Sequence, residues 1–265
     1  FEMFGNRALY QDGWLARTIH RPAWKQKPDH PLLEDKWELY NTNEDFSLAR
    51  DLAAQNPDKL KAMQAQFMKE AEKYHVLPID DRLLERTNAE LMGRPTVMGK
   101  RNTVTYGEGM KGMGVDIFID LRSTSYSITA EVAIGAKGNG VIVCQGGRFG
   151  GLSFYLKDGK PAFSYNYLGM ESTQIIAPVA LKPGNYKLVY DFKYDGGGMG
   201  KGGVGTITVN GKKVVEKRIA KTQPGIFSVD DLADVGLDEG TQVANYGASS
   251  KFNGAINYVT IDRKK

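Results

Sequence analysis

The sequence predicts two architectures in succession. Residues 1–85 read as an α+β terminal subdomain of antiparallel strands with one amphipathic helix, and residues 93–265 as an all-β sandwich. Three observations carry this. Gly5 and Gly13 are the only glycines before Gly93, and all the others follow it. Helical periodicity is confined to the stretch after Asn56, where Leu60, Met63, Phe67, Ala71 and Tyr74 recur at three- and four-residue steps. Beyond residue 100, short apolar runs alternate with glycine-rich turns and no helical pattern intervenes. The change falls between Leu77-Pro78-Ile79-Asp80-Asp81-Arg82 and Met92-Gly93-Arg94-Pro95.

In the first segment, Ala8-Leu9-Tyr10 and Trp14-Leu15-Ala16-Arg17-Thr18-Ile19 flank Asp12-Gly13 and read as a β-hairpin, because Asp-Gly suits a tight turn that needs positive φ. Lys36-Trp37-Glu38-Leu39-Tyr40 alternates as a third strand. Asn56-Pro57-Asp58 reads as a helix start: Asn caps, Pro occupies the first turn, and Asp complements the positive end of the dipole. Three strands and one helix make a thin core, so this segment wants a partner sheet or domain. The chain opens on Phe1 and enters a strand pattern directly, as the closing elements of a larger domain would.

In the second segment, residues 127–134, 141–144, 152–156, 162–166, 186–192, 205–209 and 255–261 read as strands. Asn210-Gly211 ahead of Lys212-Lys213-Val214-Val215 marks a hairpin. Many strands at short spacing predict two packed sheets.

Composition narrows the function classes. Apolar content of 41% and charged content of 25% are those of a globular protein. No apolar run approaches the roughly 20 residues that span a bilayer, so no membrane span is expected. The net charge of +4 is spread among interspersed acids and bases, which reads as a mixed-charge surface and not a nucleic-acid face. The single Cys144 rules out an internal disulfide and a cysteine-based zinc site.

The run Glu2-Met3-Phe4-Gly5-Asn6-Arg7-Ala8-Leu9-Tyr10, then Asp12-Gly13-Trp14-Leu15-Ala16 and Trp37-Glu38-Leu39-Tyr40, resembles the C-terminal end of bacterial arylsulfatases. The likeness continues through Asp45-Phe46-Ser47, Asp51-Leu52-Ala53, Asn56-Pro57-Asp58-Lys59-Leu60 and Leu77-Pro78-Ile79-Asp80-Asp81-Arg82. One departure is Leu15, where many relatives carry Lys after the Trp. Gly146-Gly147-Arg148-Phe149-Gly150-Gly151, residues 155–161 and 165–169, Asp195–Gly203 and 234–243 are similar to the laminin-G or concanavalin-like jelly-roll module that follows some arylsulfatase cores.

The first resemblance implies a parent sulfuric ester hydrolase with an upstream catalytic core. That core would carry a formylglycine nucleophile, made from Cys or Ser in Cys/Ser-x-Pro-x-Arg, and calcium to polarise the sulfate ester; the compartment implied is periplasmic or secreted. In this chain Cys144-Gln145-Gly146-Gly147-Arg148 has the Arg at the matching offset but no proline, so Cys144 reads as a buried thiol. The nucleophile and the metal cluster are therefore expected outside these residues, and the chain alone is expected to be inactive.

Five residues remain candidates for a site. The resemblance places His20 and Arg21 toward the sulfate-ester substrate; the alternative is an exposed polar strand end. Asp234, Asp238 and Glu239 crowd a turn and suit calcium through oxygen ligands, or form a solvated acidic turn. His30 and His75 lack partners at metal-ligand spacing and read as surface or helix-end residues. Asp195–Gly203 has the glycine and Lys201 of a phosphate loop, but a strand pattern follows it where a helix start would be needed. Tyr165, Tyr167 and Tyr246 are candidates for stacking on sugars, against a role in the sheet core. The alternative to an arylsulfatase part is thus a non-catalytic glycan-binding or interaction module, and a third reading is a purely structural sandwich.

Overall fold

The computed structural model describes residues 1–25, 27–87, 92–95 and 97–264. The chain divides into two compact units, Phe1–Arg94 and Pro95–Lys265.

In the first unit, β1 (Glu2–Met3), β2 (Asn6–Gln11), β3 (Trp14–Thr18) and β4 (Trp37–Asn41) form a four-stranded sheet in that order, and α1 (Pro57–Lys73) follows. Asp12 and Gly13 have φ of 48° and 80° between β2 and β3, as the expected two-residue turn requires. Every pairing is antiparallel. Met63, Phe67 and Ala71 of α1 are buried, and Met63 meets Ala16 and Leu39 of the sheet. Phe67 stands edge-on to Trp37 at 5.6 Å. Two details of the helix differ from expectation. Asn56 occupies the cap position, but its Nδ2 turns back to donate to Leu52 O at 3.3 Å, so its side chain makes no cap. Tyr74 is the C-terminal cap residue and is exposed, because the buried stripe ends at Ala71.

The second unit contains β5 (Thr103–Tyr106), β6 (Ser125–Ile134), β7 (Gly140–Gly147), β8 (Gly150–Lys157), β9 (Lys160–Tyr167), β10 (Glu171–Ile176), β11 (Gly184–Tyr194), β12 (Lys201–Val209), β13 (Lys212–Lys221), β14 (Ala233–Val235) and β15 (Ala255–Lys264). They build a five-stranded sheet, β10-β9-β8-β7-β14, and a six-stranded sheet, β13-β12-β11-β6-β15-β5. The two inner faces enclose one apolar core, which makes the unit a β-sandwich. The strands read from sequence are all present. The short β5, β10 and β14 escaped because few residues carry their alternation, and β10 (Glu-Ser-Thr-Gln-Ile-Ile) is a largely exposed edge strand.

At the centre of the core, Tyr190 of β11 lies flat on Phe163 of β9, with centroids 3.6 Å apart and planes within 6°. Gly205 of β12 makes room for that ring: a Cβ there would stand 2.5 Å from the Tyr190 hydroxyl and 2.6 Å from Ile175 Cδ1. The glycine-rich stretch after Asp195 joins β11 to β12. Its last part, from Lys201, is already strand, and Tyr194 OH donates to Gly198 O at 2.6 Å while accepting from Lys201 N at 2.8 Å. No helix follows this loop, so the phosphate-loop geometry is absent there.

The outer face of the five-stranded sheet is covered as well. Residues from 237 to about 250 fold across it, and Val243 and Tyr246 bury Val141, Cys144, Tyr155 and Ala162. Tyr246 meets Tyr155 edge-on at 5.0 Å. This explains why β7 and β8 are buried along nearly their whole length and do not alternate with solvent.

Candidate functional site

In the sandwich, an open cleft lies where the tip of the β7–β8 hairpin, the edge strand β10 and residues 241–245 meet. It is a cleft of about 670 Å³ lined by Arg148, Asn166, Glu171, Ser172, Gln174 and Gln242, among others. Asn166 builds its floor. Its Nδ2 donates to Gly147 O at 3.1 Å and Arg148 O at 2.8 Å, and its Oδ1 accepts from Gly169 N at 3.0 Å, so the two neighbouring turns are held together. Arg148 N donates to Thr241 Oγ1 at 2.9 Å, which ties the covering segment to the same rim. Phe149, at the hairpin tip beside Gly169, is 67% exposed, and Met170 is also exposed. Lys221 and Lys217 flank the β10 side: Lys221 Nζ pairs with Glu171 at 2.8 Å and Lys217 Nζ donates to Gln174 O at 3.1 Å.

The aromatics named from sequence sit elsewhere. Tyr165 and Tyr246 are buried in the core and under the covering segment, and Tyr167 is partly buried beneath Lys221 Nζ at 4.5 Å. The exposed ring is Phe149, which sequence reasoning passed over. The available signal was a large apolar residue at the tip of a tight hairpin bounded by glycines.

The acidic turn is assembled differently from either sequence reading. Asp234 and Asp238 are both buried, while Glu239 turns outward to Lys111 Nζ at 2.7 Å. The two oxygens of Asp234 accept from Gly112 N at 2.8 Å and Glu239 N at 2.9 Å. Asp238 Oδ2 accepts from Val243 N at 3.0 Å and from Tyr246 OH at 2.5 Å. The third group beside them is Cys144, whose thiol donates to Leu237 O at 3.4 Å, and ligand atoms of Cys144, Asp234 and Asp238 lie within 4.8 Å of one another. Burial raises the Asp238 carboxyl above its ordinary range, and nearby Asp234 and Asp231 add to the shift. Burial pushes the Cys144 thiol up, and Asp238 and Asp234 push the same way. Calcium takes about six to eight oxygen ligands. A thiol, a carboxylate spent on backbone N–H groups and an outward Glu239 do not make that set. The geometry is that of a clamp holding the covering segment to β7 and β14.

In the first unit, His20 and Arg21 are buried, not an exposed strand end. Asn6 Oδ1 accepts from Arg21 N at 3.0 Å, and the Arg21 guanidinium lies 5.5 Å from the Phe4 ring centroid. His20 stands between two carboxylates, with Nδ1 2.8 Å from Asp35 Oδ1 and Nε2 3.1 Å from Asp81 Oδ2. His30 has a partner after all: its Nε2 lies 2.8 Å from the same Asp35 Oδ1, while Arg7 pairs with Asp35 Oδ2. Sequence reasoning named His20 and missed Asp35, Asp81 and the place of His30. The signal was the pairing of β3 with β4: Thr18 opposite Trp37 sets His20 and Asp35 each two residues beyond the same end of the ladder.

No family model matches the chain, and no curated protein matches it. Among solved structures it is similar to mouse laminin α1 chain domains LG4-5, at 14% identity over 62% of this chain with a TM-score of 0.39; it spans 40% of that chain's length. It is similar to a SAP-like pentraxin from Limulus polyphemus, at 13% identity over 59% of this chain and 74% of that one, TM-score 0.35. A third is the galectin LEC-6 of Caenorhabditis elegans, at 11% identity over 63% of this chain and 99% of that one, TM-score 0.31.

Proposed function

We propose that the sandwich is a glycan-binding module whose ligand occupies the cleft beside β10, with sulfated chains preferred. The observation that carries this reading is an open cleft lined by planar polar groups from Arg148, Glu171, Gln174 and Gln242, with the exposed ring of Phe149 next to Gly169 of its lining. A sugar presents hydroxyls on its edges and C–H groups on its faces. Guanidinium, amide and carboxylate planes pair with hydroxyls, and an aromatic ring stacks on a C–H face. Lys217 and Lys221 on the β10 side, with Arg148 in the lining, favour sulfate groups over neutral sugars through charge-assisted hydrogen bonds. Calorimetric titration with a sulfated polysaccharide and its desulfated form tests this. Saturable binding that weakens on desulfation is expected; no saturable binding to any chain of a glycan array overturns the reading.

A second reading concerns the first unit. Its small core, Ala16, Leu39 and Met63 with their neighbours, leaves Phe1, Met3, Trp24, Leu33 and Phe46 exposed. That much apolar surface suits packing against a larger body. With the likeness of residues 2–82 to arylsulfatase C-termini, it supports a place as the closing part of an arylsulfatase-type sulfuric ester hydrolase. The formylglycine nucleophile and calcium would belong to the rest of that enzyme, and this chain alone would not turn over. Hydrolysis of an aryl sulfate by the isolated chain with added calcium overturns the second reading and leaves the first untouched.

A further inference from the structure

We infer that the first unit binds a divalent transition-metal ion of the zinc class between His20 Nδ1, His30 Nε2 and Asp35 Oδ1. These atoms lie within 4.8 Å of one another, and both ring nitrogens are 2.8 Å from the carboxylate oxygen. A tetrahedral ion with bonds of about 2.0 Å needs donors roughly 3.3 Å apart, so the set opens by about half an ångström to receive it. The rings stand edge-on, at 89° to each other with centroids 5.8 Å apart, so the two imidazoles reach the same carboxylate oxygen without stacking on one another.

The second carboxylate on His20 supplies an outer partner for the site. His20 is fully buried and has a carboxylate oxygen on each ring nitrogen. A metal-ligating imidazole is neutral and carries one N–H. A cation at Nδ1 leaves that single proton on Nε2 to donate to Asp81, the carboxylate–histidine–metal arrangement that orients a ligand ring. Arg7 occupies Asp35 Oδ2, which leaves Oδ1 as the single oxygen offered to the ion. Two imidazole nitrogens with one carboxylate suit zinc or cobalt better than calcium or magnesium, which take oxygen. The His30 side chain is 35% exposed, so an ion enters from that side and keeps a water as fourth ligand.

The pairing register produces this site. β3 and β4 bring His20 and Asp35 to one end of the ladder, and the connection between them carries His30 back across it. Gly5, at φ 88°, allows the His20 ring its place, since a Cβ there would stand 2.6 Å from its Cδ2.

The test uses the whole chain after treatment with a chelator. Titration with Co²⁺ is expected to give uptake of one equivalent, with the visible bands of a tetrahedral nitrogen–oxygen site that Zn²⁺ then removes. His30→Gln weakens uptake at least tenfold. Loss of the outer carboxylate in Asp81→Ala weakens it by about 10–100-fold. Cys144→Ser and His75→Gln bind as the unaltered chain does. No stoichiometric uptake, or uptake that survives His30→Gln and fails in Cys144→Ser, overturns the assignment. Should His30→Gln not fold, histidine ring NMR of the unaltered chain decides: Zn²⁺ must shift His20 and His30 and leave His75 in place, and movement of His75 alone refutes the site.

Discussion

The phenol of Tyr246 donates to Oδ2 of Asp238 at 2.5 Å, and both residues are buried against the outer face of the five-stranded sheet. Val243 N adds a second donor to the same oxygen at 3.0 Å. One carboxylate therefore holds the segment that converts an open sheet face into a covered one.

Removing the phenol tests that role. Tyr246→Phe keeps the edge contact with Tyr155 and loses a hydrogen bond to a charged acceptor. Such bonds are worth roughly 1.5–3 kcal/mol. Urea unfolding is expected to show a loss of that size; an unchanged midpoint would place the clamp elsewhere.

Asp238 also makes stability depend on pH in a definite direction. Burial raises its carboxyl above the ordinary value of 3.8, so the folded chain keeps this proton to higher pH than the unfolded chain does. Its contribution is full below that ordinary value and declines as pH rises through the raised one. The unfolding free energy of the unaltered chain, minus that of Asp238→Asn, should fall between pH 3 and pH 8. A difference that rises over this range would contradict the burial argument.

Cys144 is fully buried and its thiol is pushed well above its ordinary range. The thiolate is the reactive form, so a thiol reagent at pH 8 is expected to label nothing in the folded chain. One equivalent should react in denaturant. Rapid labelling of the native protein would mean that the covering segment opens readily.

Tyr190 presents a contrast with Tyr246. Its hydroxyl is buried without a hydrogen-bond partner, beside the bare backbone of Gly205. An unpaired buried polar group costs about 1–3 kcal/mol, so Tyr190→Phe is expected to leave stability unchanged or raise it. Gly205→Ala forces a methyl against that ring and should cost about 1–3 kcal/mol, as overpacking does. In thermal melts the midpoint should fall for Gly205→Ala and hold or rise for Tyr190→Phe.

Phe149 is exposed and lies outside the apolar core of the sandwich. If it stacks on a sugar, Phe149→Ala loses about 0.5–1.5 kcal/mol of binding, which lowers affinity for a sulfated polysaccharide some threefold to tenfold at an unchanged melting temperature. Equal affinity in the two proteins would remove Phe149 from the site.

Most local features could be read from residues near one another. Asp12-Gly13 and Asn210-Gly211 gave away their hairpins because a two-residue turn needs positive φ at both positions, and few residue pairs accept that. The α1 stripe at Met63, Phe67 and Ala71 was visible because one buried helix face repeats every three or four residues. The strand pattern of β6, β11 and β12 likewise follows from one face meeting a core. Exposure was read less well. Asp234 and Asp238 read as calcium ligands or a solvated turn, and His20 and Arg21 as substrate-facing or an exposed strand end, yet each is buried.

By itself, then, the sequence determined where the longer strands, the tight turns and the helix lie. Those properties are set by steric preference and periodicity over a few residues. Only the tertiary structure decided which polar groups meet. His20 reaches Asp81 across 61 residues, and Gly112 N reaches Asp234 across 122. Such contacts depend on strand register and on where a loop closes. A buried carboxylate is tolerated only where distant donors converge on it, and nothing in its immediate neighbours announces them.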